Sequence, residues 1–217
     1  MKGALLFDLD GTLVDSDPLH AEVFVRMYAE RGRSIDRDHY MAVIHGRLSR
    51  DSFAEVFPDE DPDALADEKE EIFRRDYAPR VPPVPGIAAT MDRARVAGLK
   101  IALVSNAPRG NAQAMLAASG VADRIDAVVL AEDVARGKPH PDPYLAALTR
   151  LNVPAARAIA FEDSPTGIAS SRAAGIFTVA LRTSLSAARL TEAGADATIL
   201  DFTDPALPGL IARLTGA

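Results

Sequence analysis

The chain has 217 residues, 48% of them hydrophobic and 25% charged, with a formal net charge of −7 and no cysteine. That much apolar sequence supports a real core, and the length fits one domain with an insertion or two modest domains. The acidic balance argues against a nucleic-acid or anionic-membrane partner, which needs a basic face, and the lack of cysteine excludes disulfides, thiolate zinc sites and cysteine nucleophiles.

The first predicted element is a buried strand, Ala4-Leu5-Leu6-Phe7. Its apolar run is too short for a signal peptide, and no later run could span a bilayer, so a cytoplasmic protein is expected. Asp8 and Asp10 stand where that strand ends, followed by Gly11 and Thr12. Two carboxylates so close repel each other unless a cation or a shared proton lies between them. Gly and Thr allow a tight turn with free N–H groups and a hydroxyl, which suits a divalent cation and a phosphate. The same Asp-x-Asp-Gly composition also makes an ordinary turn.

After Asp15 the pattern is helical, with no clear strand before Pro79. Helices are predicted from Pro18 to Arg31, His39 to Ile44, Ser49 to Phe57 and Asp63 to Tyr77. Pro79, Pro82, Pro83, Pro85 and Gly86 then read as a stiff linker. From there helices and strands alternate. Helices are predicted over Ala88–Ala97, Asn111–Ser119, Pro143–Leu151 and Gly167–Ala174. Strands are predicted at Ile101–Val104, Ala127–Leu130, Ala158–Phe161, Phe177–Ala180 and, as the last, Ala197–Leu200. Continuous apolar strands between helices indicate a parallel sheet covered on both faces. The expected architecture is α/β: a doubly wound, Rossmann-like core from residues 1–15 and 81–217, with an all-helical cap inserted at 16–80.

In such sheets ligands bind beyond the carboxyl ends of the strands. Those ends read Asp8-Leu9-Asp10, Ser105-Asn106 and Glu162-Asp163, with Gly137-Lys138-Pro139 between the last two. Neighbouring strands would gather carboxylates, a hydroxyl and one ammonium on one rim. Oxygen donors without cysteine favour a hard cation, Mg²⁺ first, and Lys138 is a point charge for a phosphate oxygen. Each piece alone has a plainer reading. Ser105-Asn106 and Glu162-Asp163-Ser164-Pro165 could cap helices, and Lys138 could be a solvated loop lysine.

Together, Asp8-Leu9-Asp10-Gly11-Thr12, Ser105-Asn106, Gly137-Lys138-Pro139 and Glu162-Asp163-Ser164-x-x-Gly167 resemble the motifs of the haloacid dehalogenase superfamily. Within it the chain is most similar to the β-phosphoglucomutase-like group of sugar-phosphate phosphatases and mutases. The resemblance covers essentially the whole chain. It implies that Asp8 is the nucleophile and forms an aspartyl-phosphate, and that Asp10 is the general acid and base. It assigns Mg²⁺ to the Asp8 carboxylate, the Asp10 backbone carbonyl and Asp163, with Glu162 orienting a metal-bound water or Lys138. Thr12, Ser105 and Lys138 would hold the phosphoryl group, helped by the N–H groups of Leu9 and Asn106.

In the cap, the resemblance points to His20, to Arg47 or Arg50 in Gly46-Arg47-Leu48-Ser49-Arg50, and to Lys69. Two of these keep plainer readings: His20 as an ordinary helix-face histidine, and Lys69, inside Asp67-Glu68-Lys69-Glu70-Glu71, as part of a solvated helix face. His140 reads as loop structure. Asp10 and Asp163 together disfavour dehalogenation. A phosphatase acting on a small phosphorylated sugar is expected, as a monomer or weak dimer. A phosphosugar mutase is the alternative. Ser105-Asn106-Ala107-Pro108-Arg109 lacks the lysine of the mutase segment, although Arg109 could replace it. A non-catalytic binding module would have lost a motif residue, and none is missing. A dinucleotide-binding dehydrogenase would need Gly-x-Gly-x-x-Gly after the first strand, and a P-loop enzyme its own glycine-rich run; neither occurs.

Overall fold

Six parallel strands form one sheet in the order β3-β2-β1-β4-β5-β6. They are β1 (Ala4–Phe7), β2 (Lys100–Ser105), β3 (Ala127–Leu130), β4 (Ala158–Glu162), β5 (Phe177–Leu181) and β6 (Ala197–Ile199). The computed structural model describes residues 3–45 and 47–215. Strand order reverses around β1, so the crevice beyond its end is the place for a ligand in a doubly wound sheet.

Register explains why the motifs meet. Phe7 is level with Leu103 of β2 and with Phe161 of β4. The Asp8 N–H then donates to the Phe161 carbonyl at 3.0 Å. The next residues out, Asp8, Ser105 and Glu162-Asp163, therefore share one rim. Every residue of β1 and β4 is buried, because helices cover both faces of a parallel sheet. Phe7 and Phe161 stack at 4.9 Å and both meet Phe202 edge-on, which fixes β1 and β4 just below the rim.

The helices between β1 and β2 are α1 (Asp17–Glu30), α2 (Arg37–His39, continuing as a π turn to Ile44), α3 (Ser49–Val56), α4 (Pro62–Ile72, continuing as a π turn to Tyr77) and α5 (Ile87–Val96). The chain enters and leaves the helical insertion through two paired segments. Asp15 N–H donates to the Pro82 carbonyl at 2.9 Å, and Val84 N–H to the Leu13 carbonyl at 3.0 Å. The proline-rich stretch is therefore a seated hinge strand rather than a free linker, because Val81 and Val84 are buried beside those prolines. One hydrophobic cluster runs from β1 into the insertion, through Phe24, Phe53 and Phe73.

The remaining helices are α6 (Arg109–Ser119), α7 (Asp142–Leu151), α8 (Pro165–Ala173), α9 (Ala187–Glu192) and α10 (Leu207–Thr215). The last two escaped the sequence reading. Helix α9 is less than two turns long, with Leu190 its one buried residue, so it has no visible period. Helix α10 opens on Leu207-Pro208-Gly209, which reads as a turn although proline is well tolerated in a first helical turn. Among the described residues, no helix is long and apolar enough to cross a membrane.

Candidate active site

The rim of the sheet opens into a cavity of about 460 Å³ that includes Asp8, Asp10, Ser105, Asn106, Lys138 and Asp163 in its lining. The two carboxylates of Asp8-Leu9-Asp10 have different partners. Asp8 Oδ1 accepts from Lys138 Nζ at 2.6 Å. Asp10 Oδ1 accepts from Ser16 Oγ at 2.6 Å and lies 3.4 Å from His20 Nε2. Ser16 precedes α1 but makes no capping bond; its hydroxyl goes to Asp10 instead. His20 is stacked on Phe73 at 3.8 Å, which holds the imidazole in place. Burial opposes ionisation of Asp10, but the bonds from His20 and Ser16 and the charge of Lys69 outweigh it and hold the carboxyl below its usual range.

Lys138 Nζ is also 2.6 Å from Glu162 Oε1, and the same oxygen accepts from Tyr144 at 2.6 Å. Glu162 is fully enclosed. Burial works against the Lys138 charge, yet Asp8 and Glu162 together raise its pKa above the usual value. Burial, joined by Glu162 and Asp8, pushes the Tyr144 hydroxyl up as well, so it donates as a neutral phenol. Asn106 fixes the loop that carries Lys138: its side chain donates to the Lys138 carbonyl and accepts the Lys138 N–H, each at 3.0 Å. Gly137 is needed there, since a Cβ would lie 2.8 Å from Asn106 Oδ1.

Two glycines are imposed by the carboxylates. Gly11 has φ of +68°, and a Cβ on it would stand 2.2 Å from Asp163 Oδ2. A Cβ on Gly167 would meet Glu162 Oε2 at 1.8 Å. Gly167→Ala is therefore expected to cost about 1–3 kcal/mol of stability by overpacking. It would also displace Glu162 and lower kcat/KM by about 10- to 100-fold, since a carboxylate that orients others commonly matters to that extent. Urea unfolding and steady-state kinetics check the two effects; an alanine variant as stable and active as the parent would remove this role for Gly167.

The donor chemistry suits a hard cation. Asp8, Glu162 and Asp163 offer oxygens that all lie within 4.8 Å of one another. Burial raises the Asp163 carboxyl well above its ordinary value, and the charges of Asp8, Asp17 and Glu162 push the same way, while Ser184 donates to it at 3.1 Å. Burial raises Asp8 too, with Glu162 and Asp10 adding, against the Lys138 ammonium. Three carboxylates facing one ammonium leave negative charge that a divalent cation would neutralise. Glu162 is already engaged by Lys138 and Tyr144, which leaves Asp8 and Asp163 as the freer pair.

The other sequence candidates fall into two groups. Ser105 Oγ accepts the Ala107 N–H at 2.9 Å and faces the cavity. Leu9 and Thr12 are fully buried and outside the cavity lining, and Thr12 Oγ1 has no hydrogen-bond partner. His140 sits in a turn, where its carbonyl accepts from Ser170 at 2.5 Å. Gly46 lies outside the described residues. Arg47 pairs with Glu55 at 2.9 Å and Arg50 with Asp63 at 3.1 Å; both are half exposed and neither lines the cavity. Arg109 bonds Asp133 at 2.5 Å and Glu132 at 3.3 Å, also away from the cavity.

Lys69 corrects the reading of its charge run as a solvated face. It is 5% exposed, because its chain packs under Phe24 and Phe73, with Nζ 5.9 and 5.7 Å from their rings. Its ammonium bonds Glu70 at 2.8 Å. Sequence reasoning missed Ser16, Asp17, Tyr40, His45, Tyr144 and Arg189. Only Ser16 carried a signal, as a helix-start residue, and it pointed to capping rather than to Asp10.

The haloacid dehalogenase-like hydrolase model matches residues 5–181. The chain belongs to that family. It is an enzyme, a phosphoric monoester hydrolase of the phosphatase branch. It is 32% identical to the validoxylamine A 7′-phosphate phosphatase of Streptomyces hygroscopicus subsp. limoneus, over 96% of this chain and 98% of that one. It is also 32% identical to the fructose-1-phosphate phosphatase YqaB of Escherichia coli, over 82% and 95%. The solved structure of CbbY from Rhodobacter sphaeroides in complex with phosphate superposes with a TM-score of 0.78, at 28% identity, over 93% and 95%. Proteins of the β-phosphoglucomutase kind are also among its structural neighbours. Residues of all four motifs, Asp8, Ser105, Lys138 and Asp163, line the one cavity at the rim of the sheet.

Proposed function

We propose that this hydrolase is a Mg²⁺-dependent phosphatase that cleaves a small phosphorylated metabolite, a sugar phosphate first of all, through an aspartyl-phosphate on Asp8. The observation that carries this reading is the division of the two carboxylates: Asp8 faces Lys138 at 2.6 Å, whereas Asp10 faces Ser16 and His20. That division supports Asp8 as the attacking group and Asp10 as the group that moves a proton.

In the first half-reaction a carboxylate oxygen of Asp8 forms a bond to phosphorus while the ester P–O bond breaks. The departing alkoxide takes a proton from Asp10. In the second half Asp10 takes a proton from water, the hydroxide attacks phosphorus, and the Asp8–phosphate bond breaks to release phosphate. Asp10 is held ionised in the free enzyme. The negative charge of an arriving phosphate raises it toward the protonated form that the first half requires. Lys138 and Ser105 compensate and position the phosphoryl oxygens, which is the main demand of this chemistry. Asp8, the Asp10 backbone carbonyl and Asp163 would hold Mg²⁺, which supplies charge neutralisation at the transferring group. Glu162 holds Lys138 in place. Helices α1–α4, read as a cap over residues 16–80, would cover the cavity and exclude water other than the attacking one.

The names of the relatives support a phosphorylated carbohydrate or related polyol as substrate. The engagement of Arg109 with Glu132 and Asp133 supports hydrolysis over the mutase alternative, since it leaves the mutase segment without its cation. A panel of phosphomonoesters with Mg²⁺ tests the reading. Phosphate release from at least one sugar phosphate is expected; exchange between a sugar bisphosphate and a monophosphate with no release would overturn it. Asp163→Asn is expected to raise the Mg²⁺ concentration for half-maximal activity by about 10- to 100-fold. An unchanged Mg²⁺ titration would remove Asp163 as a ligand.

A further inference from the structure

Three basic side chains line the cavity: Lys138, His45 and Arg189. Two of them are already matched. Lys138 lies between Asp8 and Glu162, and His45 Nε2 is 3.2 Å from Asp17. The Arg189 guanidinium has no hydrogen bond or ion pair to any described residue. Elsewhere in the core Arg124 is held by Asp92, Arg136 by Asp142 and Arg182 by Asp204, while Arg93 bonds the Thr90 hydroxyl and Arg95 the Asp123 carbonyl. In the cavity of a chain with net charge −7, the Arg189 guanidinium is the basic group left open to a ligand among the described lining residues, and its position is fixed by the fold. Ser186 caps α9 by accepting the Arg189 N–H. Leu190, the next residue, is fully buried against Ile168 and Ala180. With Leu190 facing inward, Arg189 is turned about 100° round the helix, toward the cavity, where Leu185 of the same segment also lies.

We propose that Arg189 binds a second anionic group of the substrate, remote from the phosphoryl group that Asp8 takes. This rests on the phosphatase reading above and narrows its substrate class to compounds with a phosphate ester at one end and a phosphate or carboxylate at the other. A guanidinium matches either group with two parallel N–H···O bonds. The determinant lies in the core, after β5, rather than in the helical insertion, whose Arg47 and Arg50 are engaged elsewhere. The Asp17–His45 pair on the cap side of the same cavity is internally balanced and suits the hydroxyls between the two ends.

Two matched pairs of probes test this: fructose 1,6-bisphosphate against fructose 1-phosphate, and 3-phosphoglycerate against glycerol 3-phosphate. Binding to the Asp8→Asn protein with Mg²⁺ is measured by calorimetry, so the result does not depend on turnover. In at least one pair the doubly anionic member should bind about tenfold or more tightly, as expected for a charge-assisted contact. Adding Arg189→Ala should abolish the difference within that pair, and Arg189→Lys should keep part of it. Preference in the first pair alone assigns a second phosphate, and in the second pair alone a carboxylate. Equal binding within both pairs, no binding of any probe, or a preference that survives Arg189→Ala overturns the proposal. Failure of the phosphatase reading shows separately, as no phosphate release by the unaltered enzyme from any monoester.

Discussion

Replacing Asp8 by Asn is expected to remove turnover almost completely, by about 10⁴-fold or more in kcat, while leaving the fold intact. An amide oxygen is a far weaker nucleophile than a carboxylate and forms no stable acyl phosphate, so the two-step route is lost. A 10⁴-fold loss corresponds to about 5.5 kcal/mol on the barrier. Stability should fall little and could rise. Asn has nearly the same shape and can still accept from Lys138, and it removes one of the carboxylates that burial and Glu162 penalise at this position. Steady-state phosphate release, with urea unfolding of the same samples, tests both halves. Activity within about a hundredfold of the parent, in protein free of wild-type carry-over, would remove Asp8 as the nucleophile.

Lys138→Ala is the second large effect, and here fold and activity should fall together. The Lys138 side chain is 4% exposed and its ammonium sits 2.6 Å from each of two carboxylates, of which Glu162 is wholly enclosed. Removing one partner of a buried ion pair costs about 3–5 kcal/mol, because the remaining charge is left uncompensated. Two carboxylates would then face Asp163 with no cation. kcat/KM should drop by about 10³-fold, in line with the loss of one preorganised charge at a transferring group. The stability deficit has a predictable pH dependence. Lys138 opposes the burial that pushes the Asp8 carboxyl up to about 8; without the ammonium that carboxyl is held higher still, so the native state binds more protons than the unfolded state and stability falls as pH rises. The deficit should therefore be smallest below about pH 5 and grow as pH rises through about 8. Urea midpoints across that range, in chelator, measure it. A deficit that grows on acidification would contradict the account.

The strands and the motif order were legible in the sequence for one reason. A parallel sheet covered on both faces requires continuous apolar strands, so Ala4–Phe7, Ile101–Val104 and Ala158–Phe161 stand out, and polar residues just beyond them mark the rim. The roles proposed for Asp8, Ser105, Lys138 and Asp163 rest on that position together with the family resemblance. The insertion was harder to read. Lys69 looked like one charge in a solvated run, yet it is buried with its ammonium over two aromatic rings. Arg47 and Arg50 looked free to meet a substrate, yet Glu55 and Asp63, eight and thirteen residues further on, hold them. Charge in a sequence does not show which side chain it will pair with.

By itself the sequence determined the parallel α/β core, its interruption by helices between residues 16 and 80, and the four polar clusters at strand ends, because strand periodicity and turn chemistry are local properties. Only the tertiary structure decided how those clusters share charge. Tyr144 and Lys138 converge on Glu162, Ser16 and His20 converge on Asp10, Gly11 gives way to the carboxylate of Asp163 from a distant segment, and Gly167 to that of Glu162. It also placed Arg189, from a six-residue helix with no sequence signature, in the same cavity as Asp8. Such contacts join residues up to 152 positions apart, as Gly11 and Asp163 are, and their geometry is set by sheet register and helix packing, which no local pattern encodes.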